Sequence, residues 1–105
     1  MIILFGKGFK DLDGEEIPDV KGKTATLRGL AIDALLAQYQ DEQNLGGEEK
    51  LKRWELASKI KNSPDPVEVS AEEVVLIKKL VGKAYGVLVV GQAWKYLEGE
   101  KDGVK

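Results

Sequence analysis

Residues 69–74 read Val69-Ser70-Ala71-Glu72-Glu73-Val74, and no other stretch of the chain constrains its fold as tightly. Ser70 stands where a side-chain oxygen can accept from the first free N–H groups of a helix, and Glu73, three residues on, can reach back to the Ser70 N–H. Val69 and Val74 have the spacing of a hydrophobic staple across that box. The pattern predicts a helix over 71–84. Three- and four-residue steps then put Val74, Ile77, Leu80, Val81 and Ala84 on its buried face, with Lys78, Lys79 and Lys83 outside or at the margin.

Past Ala84, Gly86 and Gly91 bracket a β-branched run while Val87, Val90, Trp94 and Leu97 keep helical spacing. A break at Tyr85-Gly86 and a last helix over 87–98 is the preferred reading. One long kinked helix from Ala71, or a short buried strand over 87–90, also fits these residues. Glycine inside a helix costs roughly 1 kcal/mol relative to alanine, so Gly82, Gly86 and Gly91 either mark breaks or let another backbone come close. In the second case the segment 81–94 is a packing seam, within one chain or between the two copies of a homodimer. The polar stretch 99–105 is expected to fray.

Upstream, Leu27, Leu30, Ala31, Ala34, Leu35 and Gln38 share one face of a helix expected over 26–39, with Thr24 or Thr26 as its cap. Another helix is expected over 48–61, where Glu48-Glu49 suit the positive end of the helix dipole. Leu51, Trp54, Ala57 and Ile60, backed by Leu56, form its expected buried side, and Asn62-Ser63-Pro64-Asp65-Pro66 stops it. The opening residues Ile2-Ile3-Leu4-Phe5 and Phe9 favour β structure, and Asp13-Gly14 is a tight-turn dipeptide. A β-hairpin over 1–17 follows, with Pro18 ending its return arm and 18–23 as loop. The expected fold class is α+β, mostly α: an N-terminal β-hairpin packed on three or four helices, one domain over 1–105. A chain of 105 residues can bury roughly two thirds of its unfolded surface and hold such a core unaided.

Function is bounded first by what is missing, since the sequence contains no histidine and no cysteine. The usual neutral-pH general base, the usual thiol nucleophile and the best transition-metal ligands are therefore absent together. We expect no enzymatic activity, no cofactor and no metal site. The lack of cysteine suits a reducing compartment, and the longest apolar runs fall far short of the 18 or so residues that span a bilayer. Met1-Ile2-Ile3-Leu4-Phe5 has no basic leader, so a cytoplasmic, unprocessed protein away from membranes is expected. Sixteen basic against 18 acidic residues leave a net charge of −2, which disfavours general nucleic-acid binding.

Several constellations have bland structural explanations. Asp11, Asp13, Glu15 and Glu16 echo a calcium loop, but Gly14 comes too early and the closing glutamate is missing, so a hairpin turn accounts for them. Gly6-Lys7-Gly8 lacks the upstream glycine and the following Ser or Thr of a phosphate loop. Glu48-Glu49 and Glu72-Glu73 sit at helix starts, where capping and dipole chemistry want acids. The basic run Lys50-Leu51-Lys52-Arg53 is offset by Glu48, Glu49 and Glu55 and reads as a solvated helix face, with Lys50 and Arg53 as candidate contacts to an acidic partner. Trp54 and Trp94 lie on the apolar periods of their helices and are expected in the core. Tyr96 lies off the Trp94 and Leu97 face, which makes it, with Tyr85, a candidate aromatic contact. An alternative composite basic face combines the 50–61 helix with Lys78, Lys79 and Lys83, and would serve a nucleic-acid-associated regulator.

The arrangement of Phe9-Lys10-Asp11-Leu12-Asp13-Gly14, Leu35-Leu36-Ala37, Glu48 through Ala57 and Gly91-Gln92-Ala93-Trp94 resembles the short, mostly uncharacterised proteins encoded by tailed bacteriophages and prophages. That resemblance implies a non-enzymatic protein–protein interaction module. Such a module assists assembly or modulates a host protein, through a phage or host protein partner in the bacterial cytoplasm.

Overall fold

The computed structural model of the chain describes residues 1–99. Its fold is α+β and mostly helical. Strand β1 (Ile2–Ile3) and strand β2 (Val67–Glu68) form an antiparallel pair, and four helices follow the chain as α1 (Leu27–Leu36), α2 (Gly47–Asn62), α3 (Ala71–Ala84) and α4 (Val87–Leu97). Helix α1 packs against both α2 and α3, and α4 packs against α3. Glu100 to Lys105, the greater part of the stretch expected to fray, lie outside the described residues.

Local signals place the helices. Ser70 Oγ accepts from Glu73 N–H at 3.0 Å and the Glu73 carboxylate accepts from Ser70 N–H at 2.8 Å, so the capping box at the start of α3 is complete. Thr26 caps α1, its hydroxyl accepting from Gly29 N–H. That helix closes at Leu36, ahead of the expected 39, and a 3-10 turn over Gln40–Glu42 follows. Between α3 and α4 the backbone leaves helical geometry at Tyr85 and Gly86, where the preferred reading put the break.

The opening strand takes a partner distant in sequence. Ile3 faces Val67 and Ile2 faces Glu68, while the Met1 ammonium donates to Val69 O at 2.7 Å. The Asp13-Gly14 turn forms as expected, with an antiparallel bridge between Lys10 and Glu16 and with Ile17 N–H donating to Phe9 O. A second tip repeats the first. Asp11 Oδ1 accepts from the N–H groups of Asp13 and Glu15, and Asp19 Oδ1 accepts from those of Lys21 and Lys23. Gly14 and Gly22 adopt φ of 87° and 83°, a left-handed conformation that glycine enters without steric cost. The 18–23 loop is thus a structured turn closed by a bridge from Pro18 to Thr24.

One carboxylate ties these pieces together. Asp65, in the connection from α2 to β2, accepts from Phe5 N–H at 2.8 Å, from Gly6 N–H at 2.6 Å and from the Arg28 guanidinium at 2.9 Å. Burial pushes the Asp65 carboxyl up, but the two backbone N–H groups and Arg28 outweigh it and hold the group below the usual carboxylate range. Phe5 and Phe9 are thereby sunk into a core with Leu27, Ile60, Ile77, Leu80 and Leu97. Asp65→Ala should lower unfolding free energy by about 2–3 kcal/mol, because two N–H groups and a half-buried guanidinium lose their acceptor. Urea denaturation of the two proteins at neutral pH measures it, and a loss near zero would remove Asp65 from this role.

Candidate interaction surfaces

The expected inward face of α2 is turned. Arg53, assigned to a solvated face and a partner contact, is buried with only 4% of its surface exposed. Leu51 and Trp54, assigned to the core, are 53% and 59% exposed. Leu56, Ala57 and Ile60 are buried as expected. The cause is an ion pair that no helical period encodes. The Arg53 guanidinium donates to both Glu42 oxygens at 2.8 and 2.9 Å, and Glu49 lies 3.4 Å away one turn back. A buried guanidinium needs such a partner, and a bidentate carboxylate supplies it. With Arg53 facing inward, a helix turning by about 100° per residue carries Trp54 outward.

Glu42 serves more than one cation. Lys83 Nζ lies 3.3 Å from Glu42 and 2.9 Å from Asp41, and Lys79 approaches Glu42 at 4.0 Å. The Arg53 hydrogen bonds lower the Glu42 carboxyl to about 2, against the raising effect of burial and with further help from Lys83. Asp41, first, and Glu42 raise the Lys83 ammonium in return. Lys59 pairs with Glu73 and Lys78 with Glu98. Five members of the proposed composite basic face, Arg53, Lys59, Lys78, Lys79 and Lys83, thus face carboxylates. Lys50 is exposed and has no ion-pair partner among the described residues.

Along the turned side of α2 lies a cleft of about 450 Å³, lined by Leu36, Tyr39, Leu45, Lys50 and Trp54, with the Arg53–Glu42 pair in its wall. Leu36, at the end of α1, is 55% exposed and shares the cleft with Trp54, while exposed Leu51 lies one turn back on α2, outside the cleft lining. Tyr39 is held from behind, its hydroxyl 2.7 Å from Ala34 O and its ring beneath Lys83 Nζ.

A second surface involves α4, whose inward face is also shifted from expectation. Ala93 and Leu97 are buried, Val90 is half-buried, and Val87 is 91% exposed. Trp94 lies at the surface rather than in the core, its indole N–H donating to Lys78 O at 3.2 Å with Lys78 Nζ over the ring. Tyr96 takes the inward place. Its hydroxyl donates to Gly8 O at 2.6 Å and its ring packs on Phe9 with 5.6 Å between centroids, so this expected partner contact is spent inside the molecule. Tyr85 is half-buried at the helix junction, and burial, then Asp33 and Tyr39, push its hydroxyl up. Ala84, expected in the core, is exposed. Gln92 clamps α4 to the first turn, donating to Lys10 O and accepting from Lys10 N–H. Beside it, Leu12, Val87, Leu88 and Gly91 line an apolar depression.

Compared with known proteins, the chain matches no family model, no curated protein and no solved structure. Among the described residues no helix is long and apolar enough to cross a membrane.

Glu42→Gln should destabilise the protein by about 2–4 kcal/mol at neutral pH, because it leaves Arg53 buried with only the longer Glu49 contact. The folded carboxyl sits at about 2 against 4.5 for an unperturbed one, so the unfolded chain binds the proton first as pH falls. The stability from this pair is complete above about 4.5 and is lost as pH drops towards 2. Melting curves of wild type and variant across that interval should converge at its acid end. A gap independent of pH would refute the assignment.

Proposed function

We infer that this chain is a non-enzymatic protein–protein interaction module of the phage type, acting as an assembly factor or as a modulator of a host protein in the bacterial cytoplasm. The observation that carries this reading is exposed Trp54, which lines the α2 cleft together with exposed Leu36 and has exposed Leu51 one turn back on its own helix. Tryptophan is enriched among residues that dominate binding energy, and a tryptophan held on a sixteen-residue helix is already ordered before a partner arrives. The absence of histidine and cysteine supports the non-enzymatic part, and the absence of cysteine suits a reducing cytoplasm. The biological setting rests on the resemblance of the sequence to small phage-encoded proteins.

A photo-crosslinking residue at position 54, compared with one at exposed Val20, tests the reading in nuclease-treated bacterial lysate. One protein should crosslink from position 54 and not from position 20, and Trp54→Ala, in a copy with the crosslinker at position 50, should abolish that product. The same substitution should change stability by less than about 1 kcal/mol, because the side chain is largely exposed. Identical products from both positions would overturn the reading.

A specific observation favours self-association through 81–94 as a second reading. A Cβ built on Gly91 would meet nothing within 4 Å, so packing within the chain gives no reason for glycine at the middle of α4. Val87 and Leu88 lie exposed on the same helix. A second α4 crossing at Gly91 would cover all three. Light scattering should show a mass rising towards twice the monomer with concentration, and Val87→Asp should hold it at one. A wild-type monomer at every concentration would exclude the dimer.

A further inference from the structure

The outward stripe of α2 specifies what its partner looks like. On a helix of about 3.6 residues per turn, Gly47, Lys50, Leu51, Trp54, Ser58 and Lys61 fall within about 60° of the Trp54 direction. Ala57, at the opposite edge of that arc, is buried, so the exposed stripe carries two large apolar side chains between two cations. Its neighbouring acids point elsewhere, since Glu55 and Glu48 lie about 100–120° round the helix and Glu49 faces Arg53. Lys50 and Lys61 are both exposed, and neither forms an ion pair with a described residue, in contrast to Lys59, Lys78 and Lys83. They stand about three turns apart, roughly 16 Å along the axis at ~1.5 Å per residue.

We propose that this stripe receives an acidic amphipathic helix of three to four turns, whose apolar face covers Trp54, Leu51 and Leu36 and whose flanking carboxylates meet Lys50 and Lys61. The proposal rests on the interaction reading above and adds the chemistry of the partner. An amphipathic helix presents side chains at i, i+3, i+4 and i+7, a repeat that matches the spacing of Leu51, Trp54 and Ser58 and the groove between α2 and Leu36. Charge then decides the sign of its polar flank. A basic helix would meet two lysines with no carboxylate on the stripe to receive it. A second copy of the stripe would bring four lysines into one interface without an acid between them, so self-pairing at this face is opposed. A nucleic-acid strand would find only these two cations, roughly 16 Å apart, and Leu51 and Leu36 offer it neither hydrogen bonds nor charge.

A display library of helices, with apolar positions fixed at i, i+3, i+4 and i+7 and flanking positions randomised, tests the proposal against the full-length chain. Selected binders should be enriched in Asp and Glu at the flanks. One selected peptide should lose at least about tenfold in affinity against Trp54→Ala and against Lys50→Glu/Lys61→Glu. Selection against that charge-reversed pair should switch the enriched flanks to Lys and Arg. Both lysines are exposed, and circular dichroism of each variant separates lost binding from lost fold. Neutral or basic binders to the wild type, binders indifferent to Trp54, no enrichment at all, or tighter binding of a labelled DNA duplex than of the selected peptide would each overturn the proposal. The crosslink from position 54 keeps the two levels apart. A Trp54-dependent protein crosslink without acidic-helix selection removes this partner chemistry and leaves the interaction reading, whereas loss of both removes both.

Discussion

The Asp65 carboxylate is the side chain that ties the opening segment to the rest of the fold, beside backbone hydrogen bonds from Arg28 N–H to Phe5 O and from Leu27 N–H to Lys7 O. It gathers the backbone of Phe5 and Gly6, the guanidinium of Arg28 at the start of α1, and the connection leaving α2. These three pieces are far apart in sequence, so closing them on one side chain has an entropic cost, and several charge-assisted bonds at one site offset it. The consequences run outward. Phe5 and Phe9 are anchored over the core, Gly8 O is presented to Tyr96, and the Lys10 backbone is presented to Gln92. Helix α4 therefore docks with Tyr96 inward, and the phase of the helix leaves Val87, Gly91 and much of Trp94 at the surface.

A second carboxylate does for α2 what Asp65 does for the N-terminal segment. Glu42 holds Arg53 in the interior, and the helix is thereby fixed in the rotation that exposes Trp54. Stability alone would favour another solution. Replacing a buried ion pair by well-packed apolar residues is often neutral or stabilising by about 1–4 kcal/mol, and burying a large apolar side chain gains roughly 1.5–3 kcal/mol. The chain has Leu51 and Trp54 to hand on the same helix and keeps them outside. A surface that exposes its best core formers while burying an arginine fits a selected use for those side chains better than it fits packing.

What could be read from the sequence divides along the range of the interaction involved. The capping box at Ser70 and Glu73, the Thr26 cap, the Asp13-Gly14 turn and the break at Tyr85-Gly86 all depend on residues within a few positions of one another, and each forms as expected. The second turn at Asp19 and Gly22 was legible too, since it repeats the Asp-x-x-Gly spacing of Asp11 and Gly14, but its tip Val20-Lys21 lacks the usual turn dipeptides. Helix faces were legible only where one apolar stripe dominates, as in α3. In α2 the apolar residues spread around the axis, and the choice between Trp54 and Arg53 was made by Glu42, outside the helix and invisible to any period. The same holds for α4, where Tyr96 outcompetes Trp94 because Gly8 O and Phe9 lie ready to receive it. One cause accounts for the difference at both surfaces: a residue's partner in another element decides which way its helix turns.

The charge of the molecule as a whole bears on how the α2 stripe would work. With a net charge of −2 the protein offers an acidic partner no attraction at long range, and at physiological ionic strength fields fade within about 8 Å in any case. Lys50 and Lys61 therefore act only near contact. Encounter in the proposed complex is unsteered, with rates in the ordinary range of about 10⁵–10⁶ M⁻¹s⁻¹, and the two lysines select by holding a correct partner rather than by drawing it in. Most of the free energy then comes from covering Trp54, Leu51 and Leu36, while the lysines set orientation and reject basic helices. Arg53 and Lys59 on the same helix are already paired to carboxylates, so a polyanion gains little from them, whereas a short helix that fits the stripe gains the apolar contact as well.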